Sequence, residues 1–185
     1  MTLASSANPL RRQLRAHPDA PPGSVEAVEV TVMMEAQAIA LTYRIACPST
    51  VLVVPAPAAP VQTDGLWQTT CLELFVRAGP EAYAEYNFSP SGAWAAYRFS
   101  GYREGMAPVP LDHTPQIEAH VAEDAVVVRA RIPLPPVLPT MASLTAVIEE
   151  KDGTKSYWAL AHPAGKPDFH DDACFVLELP AAKAL

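Results

Sequence analysis

The chain has 185 residues, half of them hydrophobic and 18% charged, with a net charge of −7. That is the composition of one folded domain with a sizeable core, not of a disordered segment. The acidic balance, with no basic block anywhere, argues against nucleic acid and against anionic membrane surfaces as partners.

The first residues, MTLASSANPLRRQLRAHPDAPPG, hold no apolar stretch beside their arginines, so no secretory signal is expected. No run approaches the roughly 18 apolar residues of a spanning helix, and a cytoplasmic location is expected. Cys47, Cys71 and Cys174 form an odd, widely spaced set. They read as buried free thiols rather than a disulfide framework. The 20 prolines gather at the joins between apolar runs, as in a chain of many strands and loops and little helix.

The chain divides into an N-terminal segment (1–24), one β domain (25–180) and a short tail (181–185). Asn8 and Pro9 suit the cap and first position of a short helix running to Ala16. Residues 25–33 and 39–45 alternate apolar and polar, which predicts two strands. A short apolar run at 51–54 and a Pro/Ala connector at 55–60 follow.

Residues 64–104 carry three strand-like runs crowded with aromatic side chains: 66–76, 83–88 and 93–99. In the second, Ala84, Tyr86 and Phe88 take one face, which belongs in the core, while Glu85 and Asn87 take the other. A two-residue loop in Ser89-Pro90-Ser91-Gly92 would set Asn87 opposite Trp94, and one face would carry Glu85, Asn87, Trp94 and Arg98. A three-residue loop would shift the pairing by one and put Tyr97 there instead. Glu73 alternates with Leu72 and Leu74 and could join the same face.

Beyond a proline-bearing loop at 105–115, a hairpin is predicted over 117–132 and a second over 144–161, with Lys151-Asp152-Gly153 as its turn. Prolines 133, 135, 136 and 139 separate the two. A loop at 162–172 and a last strand at 173–179 end the domain. About ten strands with short turns make an all-β protein, an antiparallel β-sandwich of jelly-roll type.

The run LWQTTCLELFV, followed by YAEYNFSPSGAWAAYRFSGYREGM and by AVIEEKDGTKSYWALAHPAGKPDFHDDACFVLEL, resembles the DOMON-like domains related to family 9 carbohydrate-binding modules. The resemblance covers residues 64–179, more loosely from residue 25. It implies an antiparallel β-sandwich that binds sugars or haem.

Sugars offer flat C–H faces to aromatic rings and hydroxyls to carboxylates and amides. Trp67, Trp94 and Trp158 near Glu73, Glu85 and Asn87 would suit such a ligand, although each indole could equally fill the core. Arg103 could reach over a pocket mouth toward an anionic group, or pair with Glu104 or Glu85. The loop HPAGKPDFHDDA holds His162, Asp168 and His170 and closes beside Trp158, so it could wall the pocket. Its histidine spacing fits no zinc signature, and its acidic residues lack the alternation of a calcium loop. Haem would need Met106 with His162 or His170, since no C-x-x-C-H motif is present. No catalytic motif stands out. The expectation is therefore a non-catalytic binder of a small sugar or polyol, with no cofactor. A haem module and a glycoside-processing enzyme using Glu73 and Glu85 are its rivals.

Overall fold

The computed structural model describes residues 8–135 and 141–179. The expected tail at 181–185 and the breaks at Pro136 and Pro139 lie outside the described residues. Among the described residues thirteen strands, β1 to β13, form two antiparallel sheets. Regular helix among the described residues is limited to two single 3-10 turns, Leu66–Gln68 and Asp172–Cys174.

The smaller sheet has five strands. Its centre is β3 (Ala27–Met34), β4 (Ala38–Ala46) and β10 (Ala125–Pro133), flanked by β1 (Leu10–Gln13) and β9 (Gln116–Val121). The alternation of 25–33 and 39–45 decides which side is dry. Val28, Val30 and Val32 face the core with Leu41, Tyr43 and Ile45, while Glu29 and Arg44 face out.

The larger sheet runs β2 (Arg15–Ala16), β12 (Lys155–Ala159), β11 (Met141–Glu149), β5 (Cys71–Arg77), β6 (Tyr83–Phe88), β7 (Trp94–Phe99) and β8 (Ala107–Pro108). A short β13 (Leu177–Glu178) pairs with β11 off that path. Leu72, Leu74, Tyr86, Phe88, Leu144 and Ile148 turn inward and pack on the smaller sheet in one apolar cluster. The inward placement of Tyr86 and Phe88 agrees with the alternation of 83–88. Tyr43 crosses from the smaller sheet to donate its hydroxyl to the Glu73 carbonyl at 2.5 Å.

The helix expected from Asn8 to Ala16 is absent; the segment forms β1 and β2 instead. Leu14 is buried and Leu10 and Ala16 are partly buried, while Arg11, Arg12, Gln13 and Arg15 are exposed. The segment edges both sheets, β1 on β3 and β2 on β12, so two tertiary ladders override a weak local cap. The strands predicted at 66–76 and 173–179 both begin with a 3-10 turn and only then extend.

Candidate functional site

The outer face of the larger sheet holds the polar groups. Facing residues in a ladder share a side, and the registers place Glu73 between Asn87 and Thr145, Phe75 beside Glu85, Glu85 beside Tyr97, and Tyr83 beside Phe99. This face is not open to water. The chain after β12 folds back, and Phe169 and Phe175 join Phe75, Tyr83, Tyr97 and Phe99 in a second apolar cluster. Tyr83 and Phe99 stack at 4.7 Å between ring centres, a geometry worth about 0.5–1.5 kcal/mol beyond area burial.

A cavity of about 740 Å³ opens on this face. Trp67, Phe75, Tyr97, Phe99, Tyr157 and Phe169 supply aromatic walls. Asp64, Glu73, Glu85, Arg103 and His170 supply polar ones. Trp67 sits in the first 3-10 turn and is 54% exposed, a free indole at the cavity wall.

Glu73 is fully buried, and its Oε2 accepts the Thr145 hydroxyl at 2.7 Å. Burial, reinforced by the Glu85 charge and opposed by that hydroxyl, pushes its carboxyl up to about 8. Glu85, also buried, has Oε1 bonded by the Asn87 amide at 2.7 Å. Burial raises its carboxyl as well, while the Asn87 bond and the Arg103 charge work the other way.

His170 faces Glu85 from the covering loop. The Arg103 backbone N–H donates to the Tyr83 hydroxyl at 3.1 Å, and that hydroxyl shares a hydrogen bond of 2.7 Å with His170 Nδ1. His170 Nε2 lies 3.9 Å from Glu85 Oε2, too far for a direct bond. Burial, helped by the Arg103 charge, lowers His170 to about 4 and keeps it neutral near pH 7. Asp168 braces the wall from behind. It accepts from Arg103 at 2.8 Å, from the Tyr102 hydroxyl and from the His170 backbone N–H at 3.0 Å. Arg103 takes a left-handed φ of 55° to reach it, a backbone conformation that costs about 1–2 kcal/mol.

Of the residues singled out from the sequence, Trp67, Glu73, Glu85, Arg103 and His170 line the cavity. Asn87 and Asp168 hold Glu85 and the covering loop in place. Trp94, Arg98, Trp158 and His162 do not belong to it. Ser89 pairs with Ala93 around the loop Pro90-Ser91-Gly92, and Gly92 adopts a φ of 96° that favours glycine. The three-residue loop therefore sets the register, with Asn87 opposite Ala95 and Glu85 opposite Tyr97. Trp94 turns into the core and donates its indole N–H to the Pro60 carbonyl at 3.2 Å. Arg98 emerges on that same side, opposite Ala84, and is exposed. Trp158 is a core residue bonded to Ser156 at 2.9 Å. His162 binds the Arg15 carbonyl at 2.8 Å and lies edge-on to His17, at the β2 end of the sheet.

Thr145 and Tyr157 were readable as outward positions in alternating strands. Asp64, which accepts the Tyr97 hydroxyl at 2.5 Å, and Phe169 come from irregular segments and leave no periodic trace. Among the described residues no three His, Cys, Asp or Glu side chains converge to hold a metal ion. Met106 and His170 share the cavity, with His170 Nδ1 bonded to the Tyr83 hydroxyl and Nε2 facing Glu85, while His162 lies away from it.

No protein-family model matches the chain, and no curated protein matches it. Solved structures do. A protein from Bacteroides uniformis, described provisionally as a carbohydrate-binding protein, superposes with a TM-score of 0.58 at 16% identity, over 90% of this chain and 84% of that one. A family 9 carbohydrate-binding module from Caldicellulosiruptor kristjanssonii, in complex with cellotriose, gives a TM-score of 0.47 at 14% identity, over 85% and 75%. The first of these likenesses speaks to the fold.

Proposed function

We propose that the protein binds a small sugar or sugar-like polyol, without transforming it, in the cavity on the outer face of the larger sheet. The carrying observation is the convergence of aromatic walls with two buried carboxylates, Glu73 and Glu85, on one cavity of about 740 Å³. A sugar ring has the matching chemistry: apolar faces for Trp67, Tyr97 and Tyr157, and hydroxyls for the carboxylates. The carbohydrate designation of the Bacteroides uniformis neighbour supports the reading. On this account the chain is a distant relative of the DOMON-like domains and family 9 carbohydrate-binding modules.

A second reading, hydrolysis of a small glycoside, is favoured by one observation. Glu73 and Glu85 sit diagonally on adjacent strands in environments that push both carboxyls up, and Glu73 strongly. Calorimetric titration with a panel of mono- and oligosaccharides, with product analysis of the same mixtures, separates the two. Saturable heat with unchanged sugars is expected. Cleavage products would favour hydrolysis, and a folded protein that takes up no sugar would overturn both.

A further inference from the structure

Glu73 and Glu85 lie on the same face of adjacent strands, one register step apart, so their Cβ atoms are about 7–8 Å from each other. Both are buried and both reach the same cavity. Neither carboxylate is paired with a Lys or Arg among the described residues. Arg103 is the one Lys or Arg among the described residues of the cavity wall; its guanidinium pairs with Asp168 at 2.8 Å and its charge acts on Glu85 only at longer range. His170 is held neutral, with its Nε2 3.9 Å from Glu85 and beyond bonding distance. Asp64, the third acid of the wall, is occupied by the Tyr97 hydroxyl. Glu85 Oε2 is thus left facing the cavity with no hydrogen-bond donor among the described residues. That oxygen reaches the cavity, where water, a ligand hydroxyl or a cation can meet it.

We infer that the ligand carries a primary ammonium group seated between Glu73 and Glu85, so that the sugar taken by this cavity is an amino sugar. The inference rests on the sugar reading given above. An ammonium has three donors and no acceptor, which matches two acceptor carboxylates in an aromatic-walled cavity. A hydroxyl in the same place offers one donor, where an ammonium offers three and a positive charge. The proton balance follows. Glu73, pushed up to about 8, is largely protonated at pH 7 in the free protein. An ammonium arriving beside it favours the carboxylate, so the Glu73 proton leaves to solvent as the ligand binds.

The test is isothermal titration of the intact protein at pH 7 with glucosamine, glucose and N-acetylglucosamine, each in two buffers of different ionisation enthalpy. Glucosamine is expected to bind at least about tenfold more tightly than the other two, since hydrogen bonds to a charged donor are the stronger ones. Its heat should differ between buffers in the direction of proton release. In Glu85→Gln, with an unchanged circular dichroism spectrum, the preference should fall toward unity. Glucose or N-acetylglucosamine binding as tightly as glucosamine overturns the ammonium site and leaves the sugar reading standing. If none of the three binds, the ammonium site falls with it. A glucosamine preference without buffer dependence overturns the role given to the Glu73 proton.

Discussion

The amide of Asn87 donates to Oε1 of Glu85, two residues back along the same strand, at 2.7 Å. Residues two apart share a face, so one strand carries both the carboxylate and the group that aims it. Replacing Asn87 by Ala removes the donor and leaves a buried carboxylate oxygen unpartnered. A loss of about 1–3 kcal/mol in urea unfolding is expected, together with weaker ligand binding. Unchanged stability and unchanged binding would show that Glu85 is not held this way.

Trp67 and Trp94 should separate binding from folding. Trp67 is half-exposed at the cavity wall, and Trp94 is part of the inter-sheet core. Trp67→Ala is expected to leave the unfolding midpoint nearly unchanged and to cost about 1 kcal/mol of sugar stacking. Trp94→Ala should destabilise the protein by about 3–5 kcal/mol. Equal thermal stability of the two variants would contradict the assignment of faces.

Stability should depend on pH in two opposite ways. Glu73 holds its proton up to about 8, whereas an unfolded glutamate ionises near 4.5. The unfolded chain therefore binds fewer protons between those values, and stability falls as pH rises through the window. His170 is lowered to about 4 from 6.5, so its contribution is complete above 6.5 and is lost as pH falls toward 4. Above pH 6.5 the Glu73 effect acts without that opposition, with a slope of up to about 1.4 kcal/mol per pH unit. Urea unfolding at pH 6.5 and pH 8 should show the decline in the wild type and a smaller one in Glu73→Gln. Parallel declines in both proteins would show that Glu73 is not protonated in the folded state.

Asp168 ties the covering loop to the turn that carries Tyr102 and Arg103. Its ion pair with Arg103 is partly exposed, and such pairs contribute about 0–1 kcal/mol to stability. Asp168→Ala is therefore expected to loosen the wall formed by Phe169 and His170 and to weaken binding by more than it lowers stability. Equal binding by the two proteins would reduce the loop to a cover with no part in the site.

Much of the sandwich was legible because period two is a local signal. The alternation of 83–88 assigned Tyr86 and Phe88 to the core and Glu85 and Asn87 to the other side, as found. The partners across the hairpin were not legible, because they depend on one residue of loop length. Ser89-Pro90-Ser91-Gly92 permits either loop, and the left-handed Gly92 decides for three residues. That single step exchanges Trp94 for Tyr97 at the site. Phe169 and Asp64 could not be found at all, since loop residues meet the sheet only through tertiary folding. The N-terminal strands were hidden by a helix-cap signal that two ladders override.

The three indole N–H groups give the most direct test of where a sugar sits. Trp94 is bonded to Pro60 and Trp158 to Ser156, both away from the cavity, whereas Trp67 lines it. A two-dimensional ¹H–¹⁵N spectrum recorded during titration with glucosamine should show saturable movement of the Trp67 indole resonance and of the Glu85 and Tyr97 amides, with the Trp94 and Trp158 indoles unmoved. Movement centred on Trp94, Trp158 or the smaller sheet, with Trp67 unmoved, would contradict the placement of the site on the outer face of the larger sheet.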